Sequence, residues 1–175
     1  LLEPTSGQIS FKGQDILHLD REAMRKLRPQ MQFIFQDPYE SLNPRMKIRD
    51  IVGEGLEVHG RVRGYLEKTK NVSEILEKVG LHSQDAQRYP HEFSGGQRQR
   101  IAMARSLILN PEFIVADEPV SMLDASIRSE VLKLLLNLQK KLRTSFLYIT
   151  HDVAVSRHMC DHVAVMYLGK IVEQG

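Results

Sequence analysis

Between residues 113 and 149 the chain runs strand, helix, strand, and that order restricts the fold more than any other feature. Phe113-Ile114-Val115-Ala116 is a continuous apolar run of the buried-strand kind, closed by Asp117-Glu118-Pro119. Ile127, Val131, Leu135, Leu138 and Leu142 follow at spacings of four, four, three and four, the stripe of an amphipathic helix. Ser145 to Ile149 is rich in strand-forming residues. Two strands joined through a helix lie parallel, and a parallel sheet carries helices on its faces, so the fold class is α/β.

The rest of the chain is read against that sheet. Gln8-Ile9-Ser10-Phe11 alternates and is closed by Lys12-Gly13, a short strand and turn; Met31 to Phe35 is another strand, stopped at Gln36-Asp37-Pro38. Pro38 and Pro44 mark a loop. Val72, Ile75, Leu76 and Val79 share one helical face, with Gly80 as the stop. The polar stretch from His59 to Lys70 reads as a solvent-facing connection. Gln97 to Leu109 is a further helix ended by Asn110-Pro111. Val163 to Tyr167 and Lys170 to Val172 are strands around Gly169, counted with the parallel sheet. The chain is thus expected to be one partial domain, with a helical lobe at about 43–110 set into an α/β core of 1–42 and 111–175.

Composition narrows the function classes. The 175 residues carry 24 basic and 22 acidic side chains, a net charge of +2 that gives no support for nucleic acid as partner. One cysteine, Cys160, excludes an internal disulfide framework. No apolar run approaches the roughly 20 residues that span a bilayer. The first residues, with no basic region and no apolar core, do not resemble a signal peptide, and without an initiator methionine the chain is expected to begin within a longer protein.

Chemistry-bearing residues gather at strand ends. Gln36 follows Phe35, Asp117 and Glu118 follow Ala116, and His151 and Asp152 follow Ile149-Thr150. Ligands of open parallel sheets sit beyond the carboxyl ends of the strands. An amide, two carboxylates and an imidazole there suit hydrolysis of a polyphosphate: one carboxylate holds Mg²⁺ through water, another accepts a proton from the attacking water, and the imidazole meets the transferred phosphoryl group. Singly, each has a plainer role, as an exposed turn, a loop amide or a helix cap. Ser94-Gly95-Gly96-Gln97 adds two glycines at a helix start, where bare N–H groups and the helix dipole favour phosphate. Such a tetrapeptide arises by chance in roughly one chain of this length in several hundred.

These residues, taken together, resemble those of the ABC-type ATPases. Phe93-Ser94-Gly95-Gly96-Gln97-Arg98-Gln99-Arg100 resembles their signature motif and Ile114 to Pro119 their Walker B strand. Ser121-Met122-Leu123-Asp124 resembles the D-loop, His151 the switch histidine and Gln36 the Q-loop glutamine. Phe35-Gln36-Asp37-Pro38-Tyr39, Ser41 to Met46 and Arg88 to Phe93 are similar to the oligopeptide and dipeptide importer branch, as is Val165 to Glu173. The resemblance implies a P-loop-type fold, ATP and Mg²⁺ as cofactors, and roles for single residues. Asp117 and Gln36 would attend Mg²⁺, Glu118 would polarise the attacking water and His151 would touch the γ-phosphate. Ser94, Gly95, Gly96, Gln97 and Asp124 would serve nucleotide held across a dimer.

The implied partners are a second ATP-binding subunit, identical or paralogous, two transmembrane permease subunits and, indirectly, a solute-binding protein, with no nucleic acid. The implied place is the cytoplasmic face of the membrane. Two departures stand out. Met122 replaces the alanine usual in the D-loop of this branch, and the chain has no G-x-x-x-x-G-K-[ST]. By itself it is therefore expected not to hydrolyse ATP. A soluble ABC ATPase outside transport and a catalytically dead remnant are the alternatives.

His158 and His162 stand four apart, a helical spacing that can ligate a metal, but no second pair completes a site, and a surface helix accounts for them. Arg98 and Arg100 lack the aromatic company of a nucleic-acid patch and read as packing and interface residues.

Overall fold

The computed structural model describes residues 4–175; the reading of residues 1–3 lies outside them. The first strand signal is half of a hairpin, β1 (Ser10–Phe11) paired antiparallel with β2 (Gln14–Asp15). Lys12 and Gly13 between them have φ of 54° and 77°, the positive pair that a tight hairpin turn requires. α1 (Arg21–Leu27) starts under Asp20, whose carboxylate accepts the Ala23 N–H at 2.7 Å. β3 (Met31–Ile34) follows.

The proline-rich segment after it is not all loop. α2 (Pro38–Ser41) forms there, because Pro38 suits the first helical position and the Asp37 carboxylate accepts the Tyr39 N–H at 2.6 Å. α3 (Ile48–Val58) buries Ile48, Ile51, Val52 and Leu56. α4 (Tyr65–Lys78) begins inside the stretch read as a solvent-facing connection. Lys68 explains why polarity misled: it is buried, and its ammonium lies 2.9 Å from Asp50 and 2.8 Å from Glu57. α5 (Gly95–Leu107) packs against α3 and α4 and also against β3, joining the helical cluster to the sheet.

β4 (Phe113–Asp117) runs parallel to β3 on one side. α6 (Ala125–Leu142) then returns the chain to β5 (Ser145–Ile149), parallel to β4 on the other side, so the sheet order is β3-β4-β5. Ile34, Ile114 and Ala116 are fully buried on one face, with Val131, Leu135 and Leu138 of α6 in the same core. On the opposite face Phe33, Leu147 and Ile149 are about half exposed. α7 (Val153–Met159) follows. The last two strands depart from expectation: β6 (Ala164–Tyr167) and β7 (Lys170–Gln174) form their own antiparallel hairpin and do not extend the parallel sheet. The reason is connection length, since two residues between strands allow only an antiparallel return. Among the described residues no helix is long and apolar enough to cross a membrane.

Candidate active site at the carboxyl ends of the parallel strands

Parallel register puts the ends of β3, β4 and β5 side by side. Ile34 pairs with Ala116, and Asp117 with Ile149, so Gln36, Glu118 and His151 emerge at one edge. They touch. The Gln36 amide Nε2 donates to Glu118 Oε2 at 3.2 Å, and His151 Nδ1 lies 2.8 Å from Glu118 Oε1. Both oxygens of one carboxylate are therefore engaged, by groups from two different loops.

Glu118 is held there in an unusual backbone state. Its φ is +41°, rare for a residue with a Cβ, and such strain costs on the order of 1–3 kcal/mol. Three hydrogen bonds clamp it: its N–H donates to the Ile149 carbonyl at 2.9 Å, and its carbonyl accepts from Ser121 N–H at 3.2 Å and Ser121 Oγ at 3.0 Å. The turn aims the carboxylate off the strand axis and toward His151. The imidazole itself is 74% exposed, so the pair stands open to a ligand from outside.

Asp117, the last residue of β4, has no side-chain hydrogen bond or ion pair among the described residues, leaving both oxygens for a hydrated cation. Asp152 has the plainer of its two roles. It caps α7, accepting Ala154 and Val155 N–H at 3.0 and 3.2 Å.

The Ser94 segment lies elsewhere, at the N-terminus of α5. Ser94 Oγ accepts the Gln97 N–H at 3.4 Å while the Gln97 side chain accepts the Ser94 N–H at 3.0 Å, a reciprocal capping box. The two glycines differ. A Cβ on Gly95 would meet nothing closer than 3.7 Å, whereas one on Gly96 would lie 2.4 Å from Ile127 Cγ2. Gly96 is thus required for α5 to approach α6, a packing demand that the tetrapeptide alone did not reveal. Asp124, at the start of α6, makes no capping bond and is exposed, and so is Met122 beside it. No hydrogen bond among the described residues links Ser94, Gln97 or Asp124 to Glu118 or His151.

Other sequence candidates resolve into structure. Arg98 donates to the Pro90 carbonyl at 2.8 Å and covers the Tyr39 ring, and Arg100 donates to the Val79 carbonyl at 3.1 Å. His158 ends within α7 and bonds the Ala154 carbonyl at 2.9 Å, while Cys160 and His162 lie past the helix, so the two histidines lose helical spacing. Among the described residues no cluster of three or more His, Cys, Asp or Glu could hold a metal by itself.

With this geometry in place, a family model described as ABC transporter matches residues 1–121. The chain belongs to the ABC transporter family. Its ABC relatives include the oligopeptide transport ATP-binding protein AppF of Bacillus subtilis (strain 168), 53% identical over 99% of this chain and 53% of that protein. The oligopeptide transport ATP-binding protein OppF of the same strain is 48% identical over 99% of this chain and 57% of its own length. The chain spans about half the length of the curated relatives it matches. Among solved ABC structures, cbiO1 from Clostridium perfringens, part of the transporter complex cbiONQ, superposes with a TM-score of 0.86 at 32% identity, covering all of this chain and 68% of the other. A dimeric ATP-binding cassette in a post-hydrolysis state with ADP and Pi superposes at 0.82 with 28% identity, covering 99% and 74%. The α/β fold with a parallel sheet is therefore that of an ABC ATPase domain.

Sequence reading missed Arg128 and Tyr148, which line one small cavity together with Glu118 and His151. Neither belongs to a motif, and helix periodicity gives Arg128 only a partly exposed position.

Proposed function

We propose that this chain is part of an ATP-hydrolysing subunit that powers import of oligopeptides or dipeptides across the cytoplasmic membrane. The observation that carries it is the grip on Glu118 by Gln36 and His151 at the strand ends. The relatives named as oligopeptide transport ATP-binding proteins support the peptide class. In this reading the chain is one partial cassette domain, with a helical lobe at about 43–110 between core segments 1–42 and 111–175.

Glu118 acts as the general base, taking a proton from the attacking water on a carboxylate oxygen. With a proton on each ring nitrogen, His151 donates Nδ1–H to Glu118, keeping the carboxylate aimed, and Nε2–H to the γ-phosphoryl oxygens. The hard oxygen donors Asp117 and Gln36 fit Mg²⁺, with Asp117 holding it through water. When bound, Mg²⁺ supplies charge neutralisation at the phosphoryl oxygens. Ser94, the N–H groups of Gly95 and Gly96, and Gln97 face nucleotide held by a second subunit, with Asp124 at the same interface. Exposure of Ser94, Gln97 and Asp124 suits that role. The subunit works peripherally, beneath two permease subunits fed by a solute-binding protein.

The assembled transporter carrying Glu118→Gln is expected to lose at least a hundredfold in phosphate release and to lose peptide uptake with it. Uptake unchanged by that substitution would overturn the reading. The 175-residue chain by itself, which has no G-x-x-x-x-G-K-[ST], is expected to release no more phosphate than its own Glu118→Gln control.

A further inference from the structure

Glu118 and His151 help to line a cavity of about 20 Å³, room for about one water molecule. Two polar atoms of its lining residues, the Tyr148 hydroxyl and Arg128 Nε, are buried without a hydrogen-bond partner among the described residues. A buried polar group left unpaired costs about 1–3 kcal/mol, so both atoms call for an explanation. Burial pushes the Tyr148 phenol well above its ordinary range, with Cys160 and Asp152 adding to the effect and Arg128 opposing it. The hydroxyl stays protonated, able both to donate and to accept.

The other nitrogens of Arg128 reach two loops. Nη2 donates to the Leu123 carbonyl at 3.2 Å, one residue before Asp124. Nη1 stands 4.0 Å from Oδ2 of Asp152, the residue after His151. Asp152 is fixed in turn by its cap on α7 and by its N–H, which donates to Thr150 Oγ1 at 3.0 Å. A planar guanidinium carries five N–H donors in a rigid fork, so Nε, Nη1 and Nη2 are held in fixed and separate directions.

We propose that Arg128 is a positioning residue for His151, tying the Leu123–Asp124 loop to Asp152 through its two terminal nitrogens and sharing one water between its Nε and the Tyr148 hydroxyl. The water accepts from Nε–H and bonds the hydroxyl, which satisfies both orphaned atoms. Movement of the Asp124 loop thereby reaches the imidazole that faces Glu118. Only the kinetic part of this proposal rests on the ATPase reading.

The test is ¹⁵N-histidine NMR of the full chain, with the His151 ring signals assigned by their loss in His151→Gln. Arg128→Met is expected to move those signals, and Tyr148→Phe to move them in the same sense by less. In the assembled transporter Arg128→Met is expected to lower kcat about tenfold to a hundredfold, with KM for MgATP within about twofold. A folded Arg128→Met chain with lowered stability and unmoved His151 signals would make the role merely structural and overturn the proposal. Should Arg128→Met fail to fold, unmoved signals in Tyr148→Phe do the same. A wild-type transporter without ATPase activity defeats the functional reading alone, because the ring signals decide the positioning separately.

Discussion

The helical cluster of α3, α4 and α5 and the sheet's outer face treat their apolar residues in opposite ways. In the cluster Val52, Val72, Leu76, Ile101, Met103 and Leu107 are all fully buried, and even Lys68 is buried, its ammonium paired with the more exposed Asp50 and Glu57. On the sheet, β4 has the apolar run of a strand covered on both sides, yet only the face toward α5 and α6 is covered among the described residues. Phe33 and Leu147, which flank Val115 in the register, are 48% and 50% exposed. The C-terminal hairpin is similar, with Met166, Leu168 and Ile171 exposed. One apolar pattern thus carries stability where neighbours surround it and little where the described residues leave it uncovered, because the hydrophobic gain follows the area removed from water.

Leu76→Ala tests the cluster most severely. It is expected to cost about 2–5 kcal/mol by urea denaturation, the range for a fully buried leucine. Leu147→Ala on the outer face is expected to cost less than about 1 kcal/mol. Equal losses would break the comparison.

The seam between cluster and sheet comes next. Gly96→Ala drives a Cβ to 2.4 Å from Ile127 Cγ2 and is expected to destabilise by about 1–3 kcal/mol. Gly95→Ala meets nothing closer than 3.7 Å and is expected to be neutral or to stabilise by up to about 1 kcal/mol through helix propensity. A double variant, Gly96→Ala with Ile127→Ala, recovers part of the loss if the clash is its cause.

A smaller effect concerns pH. Asp50 is held below its ordinary carboxylate value, first by hydrogen bonding to Arg49, against desolvation, and then by Lys68. Burial pulls the Lys68 ammonium down, but its bonds with Glu57 and Asp50 outweigh that and leave it raised. A depressed carboxylate contributes its full stability above the unfolded value of about 3.9 and loses it as pH falls through the lower folded value. Denaturation midpoints should therefore drop on acidification below about pH 4, and Asp50→Asn should flatten that limb while lowering stability at neutral pH.

The smallest effect is at the end of α6, where Arg143 takes a left-handed φ of 53°. Arg143→Gly is expected to raise the midpoint, by about 0.5–1 kcal/mol in stability, since glycine meets no Cβ penalty there. No gain would mean that the arginine side chain offsets its own strain.

Much of this was legible in the residues, because helix and strand periodicities are local properties of the chain. The alternation at residues 113–149 fixed β4, α6 and β5, and the parallel order followed from their connection. Gln36, Glu118 and His151 were each found as the polar residues that end an apolar run. Parallel register, with the turn at Glu118, brings the three within hydrogen-bond reach across separations of 82 and 33 residues. Where the reading failed, local character had stood in for position. Residues 59–70 are polar, but α4 begins within them and buries Lys68 between two carboxylates. The requirement for glycine at 96 comes from Ile127 on another helix, and the reach of Arg128 to Asp152 from a loop beyond the next strand. Sequence by itself determined which elements form and which residues end them, since those depend on near neighbours. Tertiary structure decided which side chains meet, because contacts across tens of residues are set by the packing of whole elements.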